Sequence, residues 1–215
     1  MNNGSIHTEK YGIHDFLTKF VTKDKQLQPG DVFDYNSTNA DLAGWLVARV
    51  SGMHLHDFIQ KYIWSKLGTE HDALIAIDRA YMPVATGGMA TTLRDAALFG
   101  QMILNRGKAN GKQVIPAHWV DQSLVNSSKD KNKMQNNHKY NDNSWTTYKN
   151  MWWILDVDQG EYAAVGIHGQ VIYINRSANV VITYFSSQAT ASASRNPEFQ
   201  TKLFAAQAIA GYLKP

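Results

Sequence analysis

The stretch MWWILDVDQGEYAAVGIHGQVIYINRSANVVITYF, residues 151–185, decides the fold class. Residues 151–157, 162–167, 171–174 and 180–185 are rich in β-branched and aromatic side chains, which suit a pleated, half-buried surface. Residues 158–160 and 175–179 supply Asp, Asn, Ser and Gly for turns between some of these runs. The pattern predicts an antiparallel meander. Downstream, residues 197–212 carry Phe199, Leu203, Phe204 and Ile209 and predict a closing amphipathic helix.

Upstream the period changes to that of helices. Thr38 and Asn39 are suitable helix N-caps, and Asp41 complements a helix N-terminus. Leu42, Trp45, Leu46 and Val50 follow at helical spacing until Gly52. A second helix places Phe58, Ile59, Tyr62 and Ile63 on one face and ends at Gly68. Residues 71–90, with Pro83, Gly87 and Gly88, lack a sustained period and are expected to form a loop. Thr92 and Asp95 resemble a capping box opening a helix that closes at Gly107, and a shorter helix starts near Pro116. A helical patch is expected around residues 13–21, with a turn at Pro29 and Gly30. Residues 127–150, rich in Asn, Lys and Ser, are expected to be a long exposed loop. Helices first, then strands, then a final helix is the order of an α+β fold: a helical lobe over about 13–126, and a sheet with its helix over 151–215.

The 215 residues are 44% hydrophobic and 18% charged, enough for one domain with a sizeable core. The net charge of +3 is scattered and forms no basic stripe, so nucleic acid is not an expected partner. There is no cysteine, which excludes disulfides, thiol nucleophiles and thiolate metal sites. His54, His56 and His71 are possible ligands, but no third ligand stands at a suitable spacing, so no metal is expected. No apolar run reaches membrane-spanning length, and the first ten residues hold no signal-peptide core. Localisation stays open.

Three places could carry chemistry. Tyr35, two residues before Ser37 at the mouth of a helix, can present a phenol at a cleft edge; packing is the competing reading. In GIHGQVIYI (166–174), Gly166 and Gly169 flank Ile167 and His168, which allows either a strand amide acting as an oxyanion donor or a β-bulge. Trp152 and Trp153 point to opposite faces of a strand, so one indole can line a pocket while the other joins the core. P-loop, G-x-G-x-x-G and G-x-S-x-G motifs are absent.

Taken in order, four blocks resemble one family. They are PGDVFDYNSTNADLAGWLVARVSG (29–52), GGMATTLRDAALFGQMILNRGKANGKQVIPAHWV (87–120), the Trp-Trp strand, and GIHGQVIYINRSANVVITYFSS (166–187). Together they resemble the β-lactamase-related serine hydrolases, and within them the 6-aminohexanoate-oligomer hydrolases and related esterases. The resemblance implies an antiparallel sheet flanked by helices beside a helical lobe, with the active site between them. It implies acyl transfer through an acyl-enzyme on a small amide or ester substrate, with no cofactor. Tyr35 matches the family's general base, and Ser37 stands where many members have asparagine. The third motif falls at Val165–Gly166, making the Ile167 amide an oxyanion donor with His168 behind it, or at His168–Gly169. Ser37, Gly166, His168 and Trp152 are the implied substrate-contacting residues.

The family's S-x-x-K nucleophile motif precedes its tyrosine, and none stands before Tyr35. The single match, Ser128–Lys131, lies in the polar run after it. The expectation is a C-terminal portion of a longer hydrolase, lacking the nucleophile helix and first strands. It would then self-associate or need a complementing N-terminal fragment, through apolar surface left exposed. A non-catalytic binding module that keeps the cleft is the second reading.

Overall fold

The computed structural model describes Gly12, residues 31–124, Met134, Tyr140, and residues 145–191 and 197–214. The expected helical patch at 13–21, the turn at 29–30 and the Ser128–Lys131 motif lie outside the described residues.

The meander forms as the β-branched runs predict. β5 (Thr147–Lys149), β6 (Trp152–Asp156), β7 (Glu161–Gly166), β8 (Gln170–Asn175) and β9 (Val180–Tyr184) pair in sequence order as an antiparallel sheet. The pleat divides each strand between two cores. Leu155, Ala163, Val171 and Tyr173 face the C-terminal helix α5 (Pro197–Leu213), where Phe199, Leu203, Ala206 and Ala210 are buried against them. Ile154, Tyr162 and Ile174 face the opposite way. They pack on α3 (Leu93–Leu104) and α4 (Ala117–Leu124) through Met102, Ile103, Val120 and Leu124. The sheet is thus clad by helices on both faces, in an α+β arrangement.

Two short antiparallel pairs, β1 (Leu74–Ile75) with β2 (Met89–Ala90) and β3 (Lys108–Ala109) with β4 (Lys112–Gln113), complete the strands among the described residues. The first lies in the segment expected to be loop; with two residues a strand it leaves no periodic signal. Residues 127–150 also differ from the expected exposed loop. Met134 and Trp145 are buried, and 147–149 is a sheet strand with Thr147 buried. Trp145 packs 5.2 Å from Trp153 and 6.0 Å from Phe199, so aromatic burial overrides the polar composition around it.

α1 (Thr38–Ser51) starts after Ser37, and its cap is neither Thr38 nor Asn39. Asn36 Oδ1 accepts from the Thr38 amide at 3.0 Å, an Asx turn that does the capping. Gly52 closes the helix with φ 66°. The Leu42, Leu46 and Val50 stripe, which helical spacing predicts as a core face, is exposed, Val50 by 81%. The buried position is Gly44, where a Cβ would lie 2.8 Å from Ala85 and 2.9 Å from Leu55, so close packing replaces the apolar stripe.

α2 is composite: Leu55–Ile59 is α, Gln60–Trp64 is π, and Ser65–Leu67 is α again, ending at Gly68 with φ 78°. The wider π turn advances the register by one residue. Trp64 and Leu67 are therefore buried, while Tyr62 turns outward and pairs with Phe58 at 4.8 Å.

Thr92 caps α3 as expected, accepting from the Asp95 amide at 3.2 Å. The return half of the capping box is not made. The Asp95 carboxylate instead accepts from the Thr92 hydroxyl and the Glu70 amide, each at 2.8 Å, tying α3 to the end of α2. Burial pushes the Asp95 carboxyl up, but the Glu70 amide, the Thr92 hydroxyl and the His71 amide and ring outweigh it, leaving it below 3.8. Asp121 is lowered by its Arg106 partner first, against burial, with Arg176 adding at 3.2 Å; these three bridge α3, α4 and the β8–β9 turn. Glu198 is lowered by Lys202, one helical turn along.

Carboxyls held below their ordinary values stabilise the fold fully above those values and lose that contribution as pH falls through the lowered ones. The melting temperature is expected to stay level from about pH 7 to 5 and to fall below about pH 4. A melting temperature at pH 3 equal to that at pH 7 would show that these carboxylates contribute nothing.

Two turns make sharp local predictions. Gly107 has φ 83°, and a Cβ there would fall onto the Ile115 carbonyl oxygen. Gly107→Ala combines left-handed strain with a backbone clash and is expected to cost about 2–5 kcal/mol by urea unfolding. The β5–β6 turn is Asn150–Met151, with φ 47° and 72°, the two-residue left-handed turn that matches strand twist. Asparagine adopts this conformation readily and methionine only at a cost, so Met151→Gly is expected to stabilise by about 1 kcal/mol in the same assay.

Candidate active site

Tyr35 sits three residues before α1, at one end of the sheet. Its ring stacks on Trp153, with centroids 5.7 Å apart and planes 19° apart, and meets Tyr148 edge-on at 5.6 Å. Its amide donates to the Tyr140 hydroxyl at 3.1 Å. Phe33 fills the space beneath, 4.9 Å from Tyr140 and 5.3 Å from Tyr148. Alternate residues of the chain, Phe33 and Tyr35, thus anchor the approach to α1 on β6. Tyr35 remains 43% exposed, so its phenol is within reach of a solute. Burial pushes the Tyr148 phenol well above its usual range, and the neighbouring Tyr35 adds to this, so Tyr148 stays a neutral donor beside it.

Ser37 occupies the N-cap position of α1 without capping by its side chain. Its carbonyl accepts from the Thr86 hydroxyl at 3.2 Å, while the Thr86 amide donates to Asp41 at 2.9 Å. The loop at 84–88 is therefore fastened to the mouth of the helix.

Gly166, Ile167, His168 and Gly169 form neither a bulge nor the middle of a strand. β7 ends at Gly166, residues Ile167–Gly169 make one 3₁₀ turn, and β8 begins at Gln170. The two glycines permit the reversal: Gly169 has φ 84°, and a Cβ on it would lie 2.7 Å from Gln188. His168, with φ 59°, is held by three bonds to the chain after β9. Its amide donates to the Ala191 carbonyl at 3.3 Å, its carbonyl accepts from Gln188 at 3.2 Å, and its Nδ1 lies 2.7 Å from the Gln188 carbonyl. A carbonyl only accepts, so Nδ1 carries the proton. His168 braces the turn, and Ile167 is presented to solvent, 67% exposed.

Trp152 is not beside Tyr35. It is buried on the opposite face, edge-on to Tyr162 at 5.5 Å, and the neighbouring Trp153 takes the place against Tyr35. Strand alternation requires that only one of the pair reach this face. Which one it is depends on register, fixed by Trp153 pairing with Ala163. Tyr140 and Tyr148 were not singled out from the sequence, since they lie in the polar run that reads as loop.

The same register relates the two halves of the site. Trp153 pairs with Ala163, and Gly166 and Ile167 lie three and four residues further along β7, toward the end of the sheet where β6 begins. At about 3.3 Å per residue that separation is roughly 10–13 Å along the strand. Tyr35, through Trp153, and the 166–169 turn thus lie toward the same end of the sheet.

Among the described residues no group of three or more His, Asp or Glu could hold a metal ion. His54 and His56 stack on each other at 5.5 Å. No helix among the described residues is long and apolar enough to cross a membrane.

The family model described as Beta-lactamase matches residues 5–207. A 6-aminohexanoate-dimer hydrolase of Paenarthrobacter ureafaciens is 32% identical over 161 residues, 72% of this chain and 39% of that protein. A structure from Bacillus anthracis, provisionally described as a 6-aminohexanoate-dimer hydrolase, superposes with a TM-score of 0.80 at 31% identity, covering 94% of this chain and 48% of that one. Simvastatin synthase (LovD) of Aspergillus terreus, at 16% identity and a TM-score of 0.63 over 98% of this chain and 63% of its own, shares the fold. The match therefore spans less than half of each of the two more similar relatives. With the family model covering nearly all of the sequence, and the sheet, its helices and the Tyr35 segment in place, the chain belongs to the Beta-lactamase family.

Proposed function

We propose that these residues form the base and oxyanion side of a serine hydrolase that cleaves amide or ester bonds through an acyl-enzyme. Tyr35 carries the reading: a half-exposed phenol at a helix mouth, braced by Trp153 and Tyr148. In this mechanism a serine Oγ attacks the substrate carbonyl as its proton passes to the Tyr35 oxygen, the general base. The tetrahedral oxyanion is held by the Ile167 amide and a second donor. Collapse expels the amine or alcohol, which takes the proton from Tyr35, and water then repeats the sequence on the acyl-serine.

The serine and lysine of S-x-x-K come, in this proposal, from polypeptide outside these 215 residues. Support comes from the apolar stripe Leu42, Leu46 and Val50, which α1 leaves exposed next to the site. The 6-aminohexanoate-dimer hydrolase of Paenarthrobacter makes a short amide of that kind a reasonable first substrate. p-Nitrophenyl ester hydrolysis with fluorophosphonate labelling tests the proposal. Turnover and labelling are expected when an S-x-x-K segment of the family precedes these residues. Their failure in that polypeptide, properly folded, would count for the binding-module reading.

A further inference from the structure

On the face of the sheet away from Tyr35, a cavity of about 280 Å³ opens between α3, α4 and the β5–β6 hairpin. Its walls are apolar: Phe99, Ile103, Ile115, Leu124 and Ala164, with Trp152 as one side. Trp119 and Met151, each about half exposed, flank the opening. Among the described residues no ionisable side chain lines it. The polar corner is Ser123 and Asn150: the buried Ser123 hydroxyl donates to the Trp119 carbonyl at 2.8 Å and accepts from Asn150 Nδ2 at 2.9 Å.

Two observations separate this cavity from a packing defect. Cavities of about 150 Å³ lined by Leu, Ile and Phe stay dry and accept benzene, and this one is nearly twice that size. Its polar corner is also fixed in place, because Asn150 of the β5–β6 turn is clamped to Ser123 by the 2.9 Å bond from its Nδ2. Met151 borders the mouth, with its Sδ accepting from the Tyr148 hydroxyl at 3.2 Å.

We infer that this cavity binds a small uncharged ring compound bearing one hydroxyl or carbonyl group, its ring between Trp152 and Leu124 and its polar group at the Ser123–Asn150 corner. An ionised ligand would have to shed its water with no counter-charge to meet it. The site is independent of the proposed hydrolysis: it lies across the sheet from Tyr35 and needs no nucleophile, so either reading can fail without the other.

The probe is p-cresol, titrated into the 215-residue chain and followed by amide chemical shifts and by melting temperature. Expected are saturable shifts at Leu124, Trp152 and Ala164 and a rise in melting temperature, with 4-methylbenzoate at pH 7 giving neither. Ala164→Leu fills the cavity and is expected to weaken p-cresol at least tenfold. Trp119→Ala, on the exposed rim, should leave the fold unchanged and weaken binding several-fold. Absence of saturation up to millimolar p-cresol, or parental affinity in both Trp119→Ala and a folded Ala164→Leu, would overturn the assignment. So would loss of binding as protein concentration rises, since that would mean a second copy covers the opening.

Discussion

Tyr35→Phe is expected to lower ester hydrolysis by about 10²- to 10⁴-fold in a polypeptide where these residues follow an S-x-x-K segment, the range of a lost general acid–base. The change removes one oxygen and leaves the stack on Trp153 and the edge contact with Tyr148, both of which involve only the ring. The backbone bond to the Tyr140 hydroxyl is also untouched. Melting temperature should therefore stay within a few degrees, and the loss should fall on kcat, since the phenol acts on the proton in flight and not on substrate binding. Trp153→Ala makes the complementary case. It removes the platform under Tyr35 and a partner of Trp145, so it should lower both activity and stability. A Tyr35→Phe protein with turnover within threefold of the parent would remove Tyr35 from the mechanism.

The largest stability effect is expected from Phe199→Ala. Phe199 is fully buried on the inner face of α5, against Trp145 and in the cluster that includes Tyr173 and Leu203. Truncating a buried phenylalanine costs about 3–5 kcal/mol through lost transfer energy and the cavity left behind. For a chain of this length that is a fall of about 6–20 °C in melting temperature. Phe204, on the outer face of the same helix and mostly exposed, is the internal control, with an expected change within about 0.5 kcal/mol. Comparable losses at the two positions would mean that α5 is covered on its outer side and that the helix does not pack as described.

The sheet was legible because its information is local. Runs such as Val180–Tyr184 are β-branched or aromatic throughout, and turns between strands carry Asp, Asn and Gly. Helix ends were legible for the same reason: Gly52 and Gly68 adopt the left-handed conformation that glycine permits. What failed depended on register or on distant partners. The π turn at Gln60–Trp64 shifts the buried face of α2 by one residue, and no sequence period announces it. The stripe Leu42, Leu46 and Val50 has the spacing of a core face but nothing among the described residues covers it, which composition could not reveal.

The site divides in the same way. Tyr35 and the 166–169 glycines stood out through residue type and spacing, and both border the same end of the sheet. Which indole stands against Tyr35 was not legible, because alternation places one on each face and only pairing with Ala163 decides that it is Trp153. His168 was placed behind an oxyanion donor, yet its contacts with Gln188 and Ala191 could not be read from sequence, because those residues lie twenty or more positions away. Tyr140 and Tyr148 were hidden in a stretch whose Asn and Lys content outweighed its aromatics.

The central claim, that Tyr35 serves a serine nucleophile, is tested most directly by fluorophosphonate labelling with the modified residue mapped by mass spectrometry. The account predicts no label on the 215-residue chain alone. It predicts label on the serine of S-x-x-K when that segment precedes the chain, and labelling slowed at least a hundredfold by Tyr35→Phe. Stoichiometric label on a serine or tyrosine within these 215 residues, or labelling at the parent rate in Tyr35→Phe, would contradict it.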